Sequence, residues 1–302
     1  MGNDDYSAAK IPESAGDKAF HIITTVCLAI LLLLVAYPLY FTVIASVSDL
    51  NAILRGEVLL YPKGFQVNSY IRVFQNSRVM TGYRNTILYA FCGTALNLFM
   101  TMITGYALSF KFRGREAVLI FILFTMFFGG GLIPTYFLYR NMGIINTVWV
   151  MVLPGALSTY NMIVARTFIS SIPDELREAA EIDGCSKIRY LFLVVLPLST
   201  VLISVLTLFY VVGHWNAYFN ALIFVDNRRL QPLQLVLREI LIQNSVPIEE
   251  DTMDPDIIDQ MRQIKELLKY SLIVVSSLPM IMIYPFLQKF FVKGVLIGSL
   301  KG

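Results

Sequence analysis

The sequence predicts an all-α, polytopic membrane protein with six transmembrane helices, and three observations carry that reading. Of its 302 residues, 56% are hydrophobic and only 15% are charged, a balance too apolar for a soluble domain of this length. Six runs lack Asp, Glu, Lys and Arg: Ala19 to Ser48, Asn85 to Phe110, Ala117 to Tyr139, Asn141 to Ala165, Tyr190 to Val225, and Tyr270 to Gln288. Each is about as long as the roughly 20 residues that cross a bilayer, or longer. No stretch between the runs has the make-up of an independent soluble domain, so residues 19–291 read as one membrane domain between tails at 1–18 and 292–302.

Taken in order, residues 1–18 are polar and of both charge signs, which predicts a loose tail. The first run has 30 residues, against roughly 7 to 15 in the apolar core of a signal peptide, so it is expected to stay as an anchor. Pro38 inside Tyr37-Pro38-Leu39-Tyr40 removes one backbone donor and is expected to bend that helix, while the tyrosines suit a membrane interface. Residues 49–84 read as an external segment with a turn at Leu59 to Phe65. After the turn, Tyr70, Val73 and Phe74 give Asn68 to Phe74 the pattern of a short interfacial helix. The second and third runs are joined by Lys111-Phe112-Arg113-Gly114-Arg115, a link so short that they must be antiparallel neighbours.

Gly129-Gly130-Gly131 permits either close helix contact or a break, and contact is the favoured reading. The fifth run, at 36 residues, is longer than one span needs. Asp226 to Lys269 is the longest external loop, with an acidic stretch in which Glu249, Glu250 and Asp251 could meet a partner's basic rim.

Several kinds of chemistry are missing. A net charge of +3 makes no case for nucleic acid. Cys27, Cys92 and Cys185 have neither disulfide nor metal-ligand spacing, and His21 and His214 cannot assemble a nucleophile, base and orienter. No Gly-x-x-x-x-Gly-Lys-Ser/Thr phosphate loop occurs, so the chain is not expected to be an enzyme or to bind ATP. The six runs hold no carboxylate of the kind that couples transport to protons or sodium, which argues against a secondary transporter.

Residues 170–197 form the one long charged segment between two long apolar runs. Asp174 to Ile182 is helical in type, with Pro173 suited to a first turn, Asp174 and Glu175 at the positive end, and Gly184 placed to stop it. Ala179, Ala180 and Ile182 give it a small, close-packing face, and Glu178, Glu181 and Asp183 face polar partners. Glu178-Ala179-Ala180, Asp183-Gly184 and Leu196-Pro197 together resemble the EAA signature of permeases of the ATP-binding cassette (ABC) importers. Cys185 stands where many members have alanine.

The stretch from Ile133 to Gly155 and the tail from Phe291 to Gly302 resemble the carbohydrate branch of that family, which includes the smaller subunit of the maltose permease. Within the branch, the chain looks most like oligosaccharide permeases of Gram-positive bacteria, including those for pectin-derived saccharides. The resemblance implies a multi-pass subunit of the bacterial plasma membrane, with both termini cytoplasmic and residues 174–182 as the cytoplasmic coupling helix. Implied partners are a homologous second permease, two ATPase subunits that bind ATP and Mg, an extracellular solute-binding lipoprotein and an oligosaccharide. Counting Lys and Arg on each side does not settle the orientation; the 111–115 link and Lys289, Lys293 and Lys301 favour the inside for their segments.

One more cluster stands out near the far end of the fifth run, Gly213-His214-Trp215-Asn216-Ala217-Tyr218. Ring faces beside an amide suit a sugar, whose C–H face packs on an aromatic ring while its hydroxyls take hydrogen bonds. If the helix continues, Trp215 and Tyr218 share a face and could form one wall, with Asn216 turned aside. The competing reading is an interfacial aromatic anchor.

Overall fold

The computed structural model describes residues 14–245 and 268–285, and every regular element among them is helical. In chain order these are α1 (Ala15–Ser46), α2 (Leu50–Leu54), α3 (Asn68–Gln75), α4 (Ser77–Ser109), α5 (Arg115–Phe127), α6 (Leu132–Asn141), α7 (Trp149–Val152) and α8 (Thr159–Ser170). They are followed by α9 (Asp174–Ile182), α10 (Lys187–Tyr190), α11 (Leu196–Leu198), α12 (Thr200–Trp215), α13 (Phe219–Phe224), α14 (Leu233–Ser245) and α15 (Leu268–Pro285). A π-helical turn, Leu191–Val195, joins α10 to α11.

Three of these, α1, α4 and α15, are single helices long and apolar enough to cross a membrane. Two further apolar stretches are bent: α5 with α6 by 113°, and residues 187–198 with α12 by 81°. The run from Asn141 to Ala165 is divided between α7 and α8 at Pro154-Gly155, where Gly155 takes φ +74°. The triple glycine of the third run makes a break, not a close contact. Gly131 has φ +80°, and a Cβ at Gly129 or Gly131 would meet nothing within 4 Å.

α4 is the axis of the molecule, packing against α8, α12 and α14. Its glycines set the approach of all three. A Cβ on Gly82 would lie 3.0 Å from Leu233 Cα, one on Gly93 2.3 Å from the His214 ring, and one on Gly105 3.1 Å from Ala165 Cβ. The helix also begins eight residues before its charge-free run, because Asn76 caps it by accepting from Arg78 N at 3.0 Å.

Broken helices leave backbone groups that lipid cannot satisfy, and α4 satisfies them with side chains. Asn85 Nδ2 donates to the carbonyls of Arg229 and Gln231 at 2.8 and 2.9 Å, and Thr86 Oγ1 accepts from Leu233 N at 2.8 Å. Asn97 Nδ2 donates to Gly155 and Ala156 at 2.6 and 3.0 Å, so the split in the fourth run is held from α4. Lower down, Tyr106 OH donates to Lys187 O at 2.7 Å.

The long loop after Val225 is partly core. In α14, Leu233, Leu235 and Val236 are buried against α4, and Arg78 pairs with Glu239. α1 differs: no residue of its most apolar stretch is buried. It runs unbroken through Pro38, and Tyr37 and Tyr40 use their hydroxyls to hold the carbonyls of Leu59 and Leu60 at 3.3 and 2.6 Å. The short helix expected at residues 68–74 appears as α3, with Val73 buried and Tyr70 packed on the core beside it.

Candidate functional site

α9 spans Asp174–Ile182, and its ends follow from local chemistry. Pro173 stands just outside, at the N-cap, with extended ψ of 134°. At the other end Gly184 takes φ +74°, Gly184 N donates to Glu181 O at 3.1 Å, and Cys185 N donates to Ala180 O at 2.8 Å. These two reversed bonds make a Schellman stop, which needs a residue that accepts positive φ at position 184.

The helix presents one face outward and ties the other to the bundle. Glu178, Ala179 and Asp183 are exposed, Leu176 is 44% exposed and Ile182 86% exposed. Of the three residues expected to share a packing face, only Ala180 packs inward, against the cluster of Tyr106, Tyr190 and Leu191. Leu196 packs on that same cluster while Pro197 is exposed, so the two ends of the motif meet through it.

On the inner side, Arg177 lies between Asp174 and Glu181 at 3.1 and 3.9 Å. Its guanidinium also sits 5.8 Å from the Phe110 ring centroid, and Lys187 Nζ lies 5.4 Å from the same ring. Phe110 caps the C-terminus of α4 and packs edge-on to Tyr106 at 4.8 Å. Two cations on one ring are worth about 0.5–1 kcal/mol each where exposed, and here they join both flanks of α9 to the central helix. Charge-free runs gave no sign of Phe110; its place as the last residue of its run, before a basic link, was the available signal.

The aromatic cluster does not form the expected wall. α12 ends at Trp215 and Tyr218 has φ −123°, so the helical spacing that would align the two rings is lost. Trp215 is 3% exposed, donates Nε1 to Ser276 O at 3.1 Å and meets Tyr83 edge-on at 6.0 Å. It is a core residue joining α12 to α15. His214 is tied up as well: Nε2 lies 2.7 Å from Asn97 Oδ1. Because both amide hydrogens of Asn97 face carbonyls, its oxygen faces the ring and His214 Nε2 is the donor.

Tyr218 remains outward, 41% exposed, with the guanidinium of Arg238 5.8 Å from its centroid and Phe219 edge-on at 6.5 Å. Arg238 has no ion pair among the described residues. Asn216 is exposed and donates Nδ2 to Val212 O at 3.0 Å. Arg238 was missed because the charges of α14 hid an amphipathic helix inside a presumed loop. Glu249, Glu250 and Asp251 lie outside the described residues.

Comparison with known proteins decides what this architecture is. Residues 79–297 match the family profile described as "Binding-protein-dependent transport system inner membrane component". The chain belongs to this family. The permease is 35% identical to Protein LplC of Bacillus subtilis (strain 168) over 267 residues, covering 88% of this chain and 89% of that one. It is 31% identical over 274 residues to the polygalacturonan/rhamnogalacturonan transport system permease protein YtcP of the same organism, covering 89% and 94%. Among solved structures it matches a chain from a bacterial ABC transporter involved in the import of the acidic polysaccharide alginate. That match has TM-score 0.84 and 29% identity, covering 93% of this chain and 99% of the other. The permease is thus a polytopic membrane component of an ABC importer.

Proposed function

We propose that the permease is one of two homologous membrane subunits of an importer for oligosaccharides, driven by two ATPase subunits that bind ATP and Mg. The observation that carries the energy-coupling half is α9, a helix stopped by Gly184 that holds Glu178, Ala179 and Ile182 outward while its inner flank grips Phe110 of α4. A short amphipathic helix so presented fits a groove in a partner protein. Its movement passes through Phe110 and Tyr106 to α4, and from α4 to every helix packed on it. A loaded extracellular solute-binding lipoprotein docks on the far side of the membrane, with both termini of this chain cytoplasmic. ATP closes the ATPase dimer, the bundle opens outward, and hydrolysis resets it; each ligand biases one of two packings.

Glu178→Ala tests the reading. Its side chain is exposed, so the variant should insert and unfold as the parent does, while ATP hydrolysis stimulated by the loaded binding protein falls severalfold. Stimulation equal to the parent's would remove Glu178 from the ATPase contact.

The saccharide half rests on the relatives' substrates and on Tyr218 with Arg238. An exposed ring can stack on a sugar, and an arginine with no ion pair among the described residues suits a uronic acid. Uptake of oligogalacturonides exceeding that of the uncharged galacto-oligosaccharides of equal length supports this; equal uptake of both, or preference for the uncharged series, discards the acidic substrate and leaves the coupling role standing.

A further inference from the structure

A cavity of about 650 Å³ lies between the C-terminal end of α4, the first residue of α5, the last turn of α8 and α9. Its lining brings together Lys111, Arg115, Arg166, Arg177 and Lys187, with Asp174 and Glu181 as the carboxylates among the described residues. Both carboxylates are taken by Arg177. The other four cations have no ion pair among the described residues. Arg166 donates Nε to Leu108 O at 3.0 Å and Lys187 sits over Phe110, contacts that leave both charges in place. Like charges gathered around one space repel, and an anion inside it relieves them.

Position points to the kind of anion. α4 and α8 end here, at Ser109 and Ser170, so the cavity lies where their apolar runs give way to polar sequence. α5 leaves from its wall at Arg115, and none of its residues is buried; Val118, Ile120, Phe121 and Phe124 are all exposed. An acyl chain lying along that apolar surface brings its headgroup to Arg115, and basic pockets between spans at this depth take anionic headgroups. We propose that the cavity binds the phosphate-bearing headgroup of an anionic phospholipid. The bound phosphate bridges the α4–α5 link through Lys111 and Arg115 to α8 through Arg166 and to the start of α10, just after α9, through Lys187. Coupling then depends on the lipid as well as on the ATPase.

The complete transporter is placed in nanodiscs of phosphatidylcholine alone or with phosphatidylglycerol. Native mass spectrometry reads the lipid retained, and stimulated ATP hydrolysis reads coupling. The parent is expected to retain phosphatidylglycerol and to lose severalfold in stimulation without it. Lys111→Gln with Arg115→Gln should lower retention by about tenfold or more and make stimulation the same in both discs. Lys111→Gln alone, at an exposed side chain, should give a partial loss and guards against misfolding of the pair. Arg55→Gln, at the opposite end of the bundle, should behave as the parent. Unchanged retention in the double variant, or stimulation in the parent indifferent to phosphatidylglycerol, overturns the proposal. Recovery of stimulation in phosphatidylcholine discs on adding inorganic phosphate assigns the site to a soluble anion and also overturns it. Lipid retention is measured without any saccharide, so its failure is separate from failure of the substrate reading.

Discussion

Residues 173–187, rich in charge, and residues 213–219, polar and aromatic, both punctuate the apolar runs, yet the bundle uses them in opposite ways. In the first, the shape is set by neighbours in sequence: an N-terminal proline, two early carboxylates and a glycine stop. In the second, the role of each ring is set by partners far away, Ser276 and Tyr83 for Trp215 and Arg238 for Tyr218. Local chemistry fixes where a helix begins and ends. Which side chain the core takes depends on what packs against it.

The comparison breaks hardest at Trp215. If it is core, Trp215→Ala removes a large buried side chain and a buried hydrogen bond, at a cost of about 3–5 kcal/mol. The variant should be poorly retained in the membrane fraction and unfold at lower temperature, whether or not saccharide is present. A stable variant that fails only in uptake would return Trp215 to the substrate path.

Gly184 should show a smaller cost in stability and a larger one in function. A residue with a Cβ in the left-handed region costs about 1–2 kcal/mol, and no neighbour blocks the space around it. Gly184→Val should therefore insert but lose most stimulated ATP hydrolysis, because the chain leaves α9 at a different angle. Gly184→Asn, which tolerates the same φ, should recover most of it. Equal activity in the two variants would mean that the stop is not what matters.

Phe110 connects the two ends of the argument. Phe110→Leu keeps an apolar side chain but loses both cation contacts, worth about 0.5–1 kcal/mol each. It should unfold nearly as the parent does while importing less substrate per ATP hydrolysed, and Phe110→Tyr should restore the ratio. A ratio unchanged in Phe110→Leu would sever the link from α9 to α4.

Much of this was legible beforehand. The all-helical membrane fold followed from composition and charge-free runs, and the limits of α9 followed from capping chemistry. What was not legible came from counting charge alone. Arg78 and Arg84 hid the first turns of α4, and Arg238 and Glu239 hid α14, although each of these charges lies on a helix packed in the bundle. The glycines misled for a different reason. Glycine serves both contact and breaks, and only the presence of Leu233, His214 and Ala165 beside Gly82, Gly93 and Gly105, and of nothing beside Gly129, tells them apart. Asn97 could not have been read as the brace of a broken span without knowing that the span breaks.

Tyr218 is the smallest expected effect on stability and the sharpest test of the contrast with Trp215. At 41% exposure with one guanidinium and one ring as neighbours, it contributes little to folding, and Tyr218→Ala should change stability by about 0.5 kcal/mol or less. If the ring carries saccharide, uptake falls severalfold while stimulation of the ATPase by the loaded binding protein survives, because docking and coupling lie elsewhere. Tyr218→Phe should transport nearly as the parent if stacking dominates, and as poorly as alanine if the hydroxyl does. Arg238→Gln separates the remaining possibility: a guanidinium that only packs on the ring is replaced without loss for any substrate, whereas one that meets a carboxylate is lost for oligogalacturonides and not for uncharged saccharides. Normal uptake in both Tyr218→Ala and Arg238→Gln would make the pair an interfacial anchor and move the saccharide site to the second permease.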